Sequence, residues 1–313
     1  MSKKALIIGA AGFVGPYLAR CLLENGWEVW ATKLPHEQLA LDGATVCDLD
    51  ILDASATAAL LESIGPDGIF HLAAQSSVAL SWAKPDLTID INIKGASHLL
   101  EAARQLKKKP RVLLIGSSEE YGLSSGGGVI SEDHPVTPAN YYAATKVCQE
   151  MIGALYCRAY DMDVMCTRSF NHIGPGQSPV FVVSDFCRQV AQLELQGGGE
   201  IRVGNLAAKR DFTDVRDVVR AYVLLIEKGR RGQIYNVGSG RAIAIEELLR
   251  DILSLSNASI RVVKDAGRFR PVDIPVVEAD ISRLKNDTGW TPEINVQDTI
   301  AETLNYWRIA VKG

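Results

Sequence analysis

The sequence lacks a long apolar segment. Its 313 residues contain no uninterrupted apolar run of the length that a membrane-spanning helix needs, about 18 residues or more. The first residues, MSKKALIIGAAG, likewise form too short an apolar run for a secretory signal peptide. We therefore expect a soluble protein of the cytoplasm that has no membrane partner.

Paired cysteines and an excess of positive charge are also missing. The six cysteines form no CxxC pair, and the five histidines show no spacing typical of metal ligands. The formal net charge is −4, whereas nucleic-acid-binding domains carry clustered positive charge. These absences argue against a metal centre, a disulfide framework and a nucleic-acid partner, and they favour a small-molecule ligand.

A regular alternation of short apolar runs and helix-length amphipathic segments is present in the first half. The apolar runs are nearly continuous, as in strands that are buried on both faces of a parallel sheet. This order predicts an α/β fold of the Rossmann type, with a doubly wound parallel sheet. The predicted strands include ALIIGA, EVWAT, GIFHLAA and RVLLIGSS, and the predicted helices include GPYLARCLLENG and IKGASHLLEAARQLKK.

The second half loses this alternation and mixes strand-like runs with loops that contain proline and glycine. We assign residues 1–170 to a dinucleotide-binding domain, whose sheet is completed by later segments, including about 211–237. Residues 171–313 form mainly a smaller, mixed α/β substrate-binding region. No repeat or low-complexity linker separates the two parts, so we expect them to share a cleft at the carboxyl ends of the strands.

A glycine-rich turn follows the first predicted strand. Gly9, Gly12 and Gly15 give the pattern GxxGxxG at the start of the first helix. Glycines at such a turn let backbone N–H groups and the helix N-terminus approach a pyrophosphate, and Phe13 and Val14 of the same turn are expected to contact the cofactor. The alternative is a turn that only packs the strand against the helix.

The end of the second strand bears on the choice of cofactor. NAD-selective folds carry an acidic residue there, which accepts a hydrogen bond from the ribose 2′-OH. This strand ends instead at Thr32 and Lys33, which suit a 2′-phosphate, so NADP(H) is favoured and NAD(H) stays possible. Lys33 could also be a solvated surface lysine. Asp50 and Ile51, after the third strand, are placed to hold adenine, although an aspartate there could equally cap a helix.

Tyr142 and Lys146 lie four residues apart in a predicted helix, YYAATKVCQEMIGALY. This spacing places the phenol and the ammonium on one face, one turn apart. A nearby ammonium favours the phenolate, so we expect it to lower the tyrosine pKa towards working pH for acid–base catalysis. On its own the spacing is short enough to occur by chance.

The chain also contains the motifs HLAA (71–74), NIKG (92–95), SSEEYG (117–122), RPVDIP (270–275) and TGWTP (288–292). With the glycine turn and the Tyr142–Lys146 pair, these resemble the extended short-chain dehydrogenase/reductases that act on nucleotide sugars. The resemblance runs from end to end. Two stretches, SFNHIGPGQ (169–177) and KRDFTDVRDVVRAY (209–222), are similar to the GDP-6-deoxy-4-keto-mannose reductases and their relatives, the GDP-mannose 4,6-dehydratases.

The resemblance implies chemistry at C4 of a hexose linked to GDP. Ser117 would hydrogen-bond the C4 oxygen, Tyr142 would exchange its proton, and Lys146 would lower the tyrosine pKa and hold the nicotinamide ribose. The implied ligands of the diphosphate are Asn171, Arg210 and Arg270. Further implied contacts are Leu72, Ala73, Ala74 and His172 for the cofactor, and Ser76, Ser118, Val183 and Lys209 for the substrate. For each arginine a surface ion pair, for instance with Asp211 or Asp273, is the alternative.

Glu119 separates the two closest activities. In the dehydratases a glutamate at this position removes the C5 proton, so Glu119 keeps that chemistry open. Two features favour the reductases: the complete turn FNHIGPGQ, and the short LPHEQLALDGA after the second strand in place of the arginine-containing segment of the dehydratases. Reduction of a C4 ketone is therefore the first expectation and dehydration the second.

Two further interpretations remain. A C4 epimerase would share the serine, tyrosine and lysine, but the missing acidic residue after the second strand argues against tightly held NAD. A regulatory dinucleotide sensor would normally have lost the tyrosine or the lysine, and both are present. The apolar helices KGASHLLEAARQL and YYAATKVCQEMIGALY could pair across a homodimer, as in the family, or simply cover the sheet.

Overall fold

The computed structural model describes residues 2–125, 128–265, 267 and 274–312. The strands are β1 (Lys4–Ile8), β2 (Glu28–Lys33), β3 (Thr45–Asp48), β4 (Gly68–His71), β5 (Arg111–Ser117), β6 (Val129–Ile130), β7 (Asp163–Ser169), β8 (Asn171–Ile173), β9 (Gly198–Val203), β10 (Lys209–Asp214), β11 (Ile234–Val237), β12 (Ala242–Ala244), β13 (Ser259–Lys264) and β14 (Val276–Ala279). The helices are α1 (Val14–Glu24), α2 (Ala54–Ile64), α3 (Val78–Ala83), α4 (Pro85–Ile89), α5 (Gly95–Gln105), α6 (Tyr141–Tyr160), α7 (Val182–Gln196), α8 (Val215–Lys228), α9 (Ile245–Ser254), α10 (Ser282–Thr288) and α11 (Val296–Ala310). A π-helical turn, Asp90–Lys94, joins α4 to α5, and a 3₁₀ segment, Ser118–Ser125, follows β5.

The larger sheet has seven strands in the order β11-β7-β5-β4-β1-β2-β3. All neighbours in it are parallel. Apolar side chains of α1 and α8 cover one face, and those of α2 and α5 cover the other. Burial on both faces explains why these strands are almost continuously apolar. The predicted Rossmann-type sheet is confirmed.

The second region has its own sheets and core. β12, β10, β14 and β6 form one sheet, β8 pairs with β10, and β9 pairs with β13. Helices α7, α9 and α11 pack against these strands. The segment between 209 and 237 is divided: β10 belongs to the smaller sheet, whereas α8 and β11 complete the dinucleotide-binding half.

A buried amide ties the segment after β4 to helix α6. Asn92 lies in the π-helical turn and is fully buried. Its Oδ1 accepts from the backbone N–H of Gln75, 2.8 Å away, and its Nδ2 donates to Thr145 Oγ1 over 2.9 Å. Because Gln75 follows β4 and Thr145 lies on α6, this amide fixes the strand end against the helix that carries Tyr142 and Lys146.

Within the described ranges no helix is long and apolar enough to cross a bilayer. No group of three or more histidine, cysteine, aspartate or glutamate side chains is placed to hold a metal ion in that same part of the chain. All six cysteines are free thiols.

Candidate active site

Helix α6 brings the predicted tyrosine and lysine together below the end of β5. Asn140 caps the helix, since its side chain accepts from the backbone N–H of Ala143 at 2.8 Å. The helix therefore begins at Tyr141 and turns Tyr142 and Lys146 towards the sheet. Their side chains are 9% and 3% exposed. Two polar side chains so deeply buried at a strand end are typical of a functional site rather than of a helix surface.

Ser117 is the last residue of β5 and contacts the tyrosine. The Ser117 side chain lies near enough to affect the Tyr142 pKa, and its hydroxyl accepts from the backbone N–H of Glu119 at 3.3 Å. Burial raises the pKa of Tyr142 above its usual value, while the nearby Ser117 side chain opposes that rise. Ser117 and Tyr142 thus form the predicted pair, with a tyrosine that holds its proton.

The ammonium of Lys146 is directed elsewhere than the sequence suggests. Its Nζ donates to the carbonyl oxygen of Ile115 over 2.7 Å and to Gln149 Oε1 over 3.2 Å. Burial lowers the pKa of Lys146 to about 8. The predicted net lowering of the Tyr142 pKa is wrong for this arrangement, because the cost of burying a phenolate outweighs any attraction from Lys146.

The residues after Ser117 differ in environment. Glu119 is partly buried, and its Oε2 accepts from Asn140 Nδ2 at 3.2 Å. Ser118 begins the 3₁₀ segment and is partly buried. Glu120, which the sequence analysis did not select, is fully buried. Its Oε1 accepts from the backbone N–H of Ser117 at 2.7 Å, a contact that no local pattern in SSEEYG indicates.

The glycine turn has both structural and open positions. Gly9 has φ +83°, and a Cβ there would lie 2.6 Å from the Cα of Ala73; a Cβ at Gly15 would lie 2.0 Å from the carbonyl oxygen of Ala10. A Cβ at Gly12 would meet no atom closer than 3.9 Å. Packing therefore requires glycine at positions 9 and 15, whereas the space above Gly12 is free for a ligand.

A cleft of about 390 Å³ lies beside this turn. Gly12, Phe13, Tyr17 and Pro175 are among its lining residues. The ring of Phe13 stacks on His172 with centroids 6.0 Å apart and planes 7° apart. Val14 begins α1, which has no side-chain cap and no acidic residue in its first turn. The N-terminus of α1 can therefore accept an anion beside the cleft.

Both side chains at the tip of β2 already make polar contacts within the protein. The Thr32 hydroxyl is buried and accepts from the backbone N–H of Gly9 at 3.0 Å, so it supports the turn rather than facing a 2′-phosphate. Lys33 Nζ lies 2.6 Å from Oδ1 of Asp48 at the end of β3. A carboxylate therefore does stand beside this tip, but it comes from the neighbouring strand.

The two side chains predicted to contact adenine, Asp50 and Ile51, already bond to or pack against other parts of the protein. The Asp50 carboxylate accepts from the backbone N–H of Leu52 at 2.9 Å, and Asp53 is the residue that caps α2. Ile51 is buried against Gly95, where a Cβ would lie 2.9 Å from its Cγ2. After β4, the N–H groups of Leu72 and Ala73 both donate to the carbonyl oxygen of Ile8.

On the substrate side, Asn171 and Arg210 come from neighbouring strands, β8 and β10. Asn171 is exposed, and Arg210 Nη1 donates to the carbonyl oxygen of Ile274 at 2.7 Å. Asp211 is buried, and its carboxylate accepts from the backbone N–H groups of Ser239 and Gly240. That carboxylate therefore bonds inside the protein and not at the surface.

The remaining predicted contacts are spread over several environments. Val183 is 1% exposed and packs in the core of the second region. Lys209 and Ser76 are exposed, and Ala74 is partly buried. Arg270 lies outside the described residues.

Comparisons with known proteins cover almost the whole chain. The family model of GDP-mannose 4,6 dehydratase matches residues 6–303. A GDP-6-deoxy-D-mannose reductase of Pseudomonas aeruginosa is 31% identical over 100% of this chain and 99% of its own length. A UDP-glucose 4-epimerase of Mycolicibacterium smegmatis is 32% identical over 97% of this chain and 98% of its own. The solved structure of RMD from Pseudomonas aeruginosa complexed with NADPH has a TM-score of 0.86, with 28% identity and coverage of 99% and 100%.

Proposed function

The chain belongs to the GDP-mannose 4,6-dehydratase family, and we propose that it reduces the C4 ketone of a GDP-4-keto-6-deoxyhexose to a GDP-deoxysugar of the GDP-rhamnose type. The observation that carries this proposal is the burial of Ser117, Tyr142 and Lys146 together at the end of β5, where Lys146 donates to the carbonyl oxygen of Ile115. The similarity to GDP-6-deoxy-D-mannose reductase over the full length of both chains supports the substrate class.

Ser117 and Tyr142 divide the work at the C4 oxygen. The Ser117 hydroxyl donates to that oxygen and orients the sugar, and the Tyr142 hydroxyl supplies the proton that converts the developing alkoxide into an alcohol. Burial keeps Tyr142 protonated before the reaction, as a general acid requires. The positive charge of Lys146 then stabilises the phenolate left on Tyr142. Tyr142 takes up a proton from solvent before the next turnover.

NADP(H) is the proposed cofactor, with NAD(H) as the second choice. The open space above Gly12, the adjacent cleft and the uncapped N-terminus of α1 fit a dinucleotide pyrophosphate. When bound, the cofactor supplies the hydride to C4. Lys33 supports a 2′-phosphate, and the relative solved with NADPH supports the same choice, although Asp48 offsets part of the Lys33 charge.

The proposal is tested by supplying GDP-4-keto-6-deoxymannose and following NADPH absorbance, with the product identified by mass spectrometry and NMR. We expect one NADPH to be consumed for each ketone reduced. No consumption of NADPH or NADH with this ketosugar would rule the reductase out.

GDP-mannose 4,6-dehydration is the second candidate because Glu119 lies two residues from Ser117 and is partly buried, as a base at C5 needs to be. Its contact with Asn140 holds the carboxylate at the head of α6. Loss of water from GDP-mannose without added cofactor would identify this activity. Interconversion of C4 epimers without net NADPH consumption would identify an epimerase.

A homodimer in the cytoplasm is part of the proposal. Met151 and Leu155, one turn apart on α6, are 62% and 54% exposed, and pairing of this helix with its copy would cover them. Sedimentation equilibrium should give twice the chain mass. Met151→Glu with Leu155→Glu should halve that mass, whereas Leu195→Glu, at an exposed apolar position on α7, should leave it unchanged.

A further inference from the structure

The cleft beside the glycine turn has two walls, one from each half of the protein. The turn and the first residues of α1 form one wall, and Pro175 and Gly176 form the other. These two residues belong to a stretch that continues from β8 of the second region, residues 172–177, which we call the wall segment. A dinucleotide pyrophosphate at the N-terminus of α1 would therefore lie between the two halves.

Tyr17 on α1 bonds directly to the wall segment. Its hydroxyl donates to the carbonyl oxygen of Pro175 over 2.8 Å. The Tyr17 side chain is only partly buried and lines the cleft, so this bond lies at the edge of the cleft and not in the core. The ring of Phe13 packs edge-on against Tyr17, with centroids 5.7 Å apart, and stacks on His172 of the wall segment. A hydrogen bond and a ring stack thus hold the wall segment to the start of α1.

The wall segment is anchored on the other side to its own half of the protein. Gln177 is buried, and its Nε2 donates to the carbonyl oxygen of His172 at 2.7 Å, which closes the segment into a loop. The carbonyl oxygen of Gln177 accepts from the Ser184 hydroxyl of α7 at 2.5 Å, and that hydroxyl accepts from Trp307 Nε1 of α11 at 2.9 Å. If the two walls move apart, the wall segment therefore stays with the second region and the bond to Tyr17 breaks.

Gly174 lets the two walls approach each other. A Cβ at this position would lie 2.9 Å from Cγ1 of Val215, the first residue of α8, and 3.5 Å from the ring of Phe13. A side chain here would hold the halves apart. Glycine at position 174 thus brings the carbonyl oxygen of Pro175 within reach of Tyr17.

We propose that Tyr17 is a positioning residue of the cofactor site, which holds the wall segment against α1 and thereby slows release of the dinucleotide. The proposal rests on the cofactor site of the proposed function. Release of a dinucleotide from between the walls requires them to separate, and separation breaks the bond between Tyr17 and Pro175. A reductase exchanges its dinucleotide in every turnover, so this bond sets part of the turnover time.

The first test needs no cofactor. Tyr17→Phe removes the hydroxyl but keeps the ring that packs on Phe13. Hydrogen exchange of the free protein, measured by mass spectrometry, should be faster in peptides that cover residues 172–181. We expect an increase of about 2- to 10-fold, the effect of losing one hydrogen bond. Peptides that cover β1 and β4 should exchange as in wild type.

The second test follows the release of NADPH. The complex with NADPH is mixed with excess NADP⁺ in a stopped-flow instrument, and the loss of NADPH fluorescence gives the dissociation rate constant. We expect this constant to rise by about 2- to 10-fold in Tyr17→Phe. The association rate constant should stay the same, because the glycine turn and the N-terminus of α1 are unchanged.

The matched control is Tyr156→Phe. Tyr156 is also partly buried, and its hydroxyl donates to Glu101 Oε2 at 3.1 Å, between α6 and α5. The control thus removes one tyrosine hydroxyl that joins two elements away from the cleft. It should change neither the exchange of residues 172–181 nor the release of NADPH.

Three results would overturn the proposal. Unchanged exchange in Tyr17→Phe would show that the wall segment does not depend on Tyr17, even if NADPH left faster. Faster exchange with unchanged release would show that the wall segment does not retain the dinucleotide. Equal effects in Tyr156→Phe would show that the cleft contact is not the cause. Failure of wild type to bind NADPH or NADH would instead refute the proposed function, and the exchange of the free protein would still decide whether Tyr17 holds the wall segment.

Discussion

Lys33 Nζ lies 2.6 Å from Asp48 Oδ1, and the pair joins the tips of two adjacent parallel strands. The Lys33 side chain is mostly buried, whereas the Asp48 side chain is largely exposed. The pair therefore offers a cation for a 2′-phosphate and a carboxylate for a ribose hydroxyl at the same place.

Replacement of Asp48 by Asn should increase the preference for NADPH over NADH. The substitution removes a negative charge beside Lys33, and exposed charge pairs of this kind change binding by about 2- to 5-fold. Fluorescence titrations with both cofactors measure the ratio. Glu24→Gln, which removes the carboxylate of an exposed ion pair on α1, is the control and should change neither affinity. A fall in NADPH affinity in Asp48→Asn would contradict the assigned role.

Alanine at Gly12 and alanine at Gly9 should have different consequences. Gly12→Ala has room in the protein, so we expect an unchanged Tm and at least about tenfold weaker NADPH binding, because the methyl group occupies the approach to the helix N-terminus. Gly9→Ala should lower both the Tm and the affinity for NADPH. Its backbone strain alone costs about 1–3 kcal/mol of unfolding free energy, and its methyl group would clash with Ala73.

Gly26→Ala separates strain from clash, since Gly26 has φ +78° but nothing within 4 Å of its Cβ position. Calorimetry should show a smaller loss of Tm for Gly26→Ala than for Gly9→Ala. Equal losses would mean that the contact with Ala73 is unimportant.

Tyr142→Phe should reduce ketone reduction by about 10²- to 10⁴-fold, the range for loss of a general acid. The ring still fills its buried position, so NADPH binding and Tm should change little. Tyr141→Phe is the control, because Tyr141 is the adjacent residue on α6 and is exposed. Steady-state kinetics with the ketosugar measure both. Residual activity within threefold of wild type in Tyr142→Phe would remove Tyr142 from the mechanism.

Glu119→Gln should leave ketone reduction largely intact, because no C5 proton is removed in that reaction. Any dehydration of GDP-mannose by the same protein should be lost. Both reactions are followed on one preparation, by NADPH absorbance and by mass spectrometry of the sugar. A collapse of reduction in Glu119→Gln would mean that the carboxylate takes part in the reductase step.

The parts of the fold that could be predicted are those with long local patterns. The strand β5 and the helix α6 begin where RVLLIGSS and YYAATKVCQEMIGALY begin, since apolar runs and helical spacing are recorded in consecutive residues. Strands β8 and β12 have three residues each, too few for a periodic pattern. Both pair with β10, a contact that only tertiary structure brings about.

The candidate site shows the same division. The Ser117, Tyr142 and Lys146 set could be predicted because each residue stands in a recognisable motif. Asp48 could not, since its approach to Lys33 depends on which strands become neighbours. The sequence offered several aspartates as the cap of α2. Asp53 is identified only because the helix begins at Ala54.

Strand β11 lies at the outer edge of the larger sheet, beside β7. During synthesis, β7 leaves the ribosome well before β11 (residues 234–237), the strand that pairs with it. Until then β7 presents an unpaired edge, and the face of α1 that α8 covers is open as well. We expect chains truncated between 170 and 233 to aggregate in the cell, and the nascent protein to depend on chaperones during that interval.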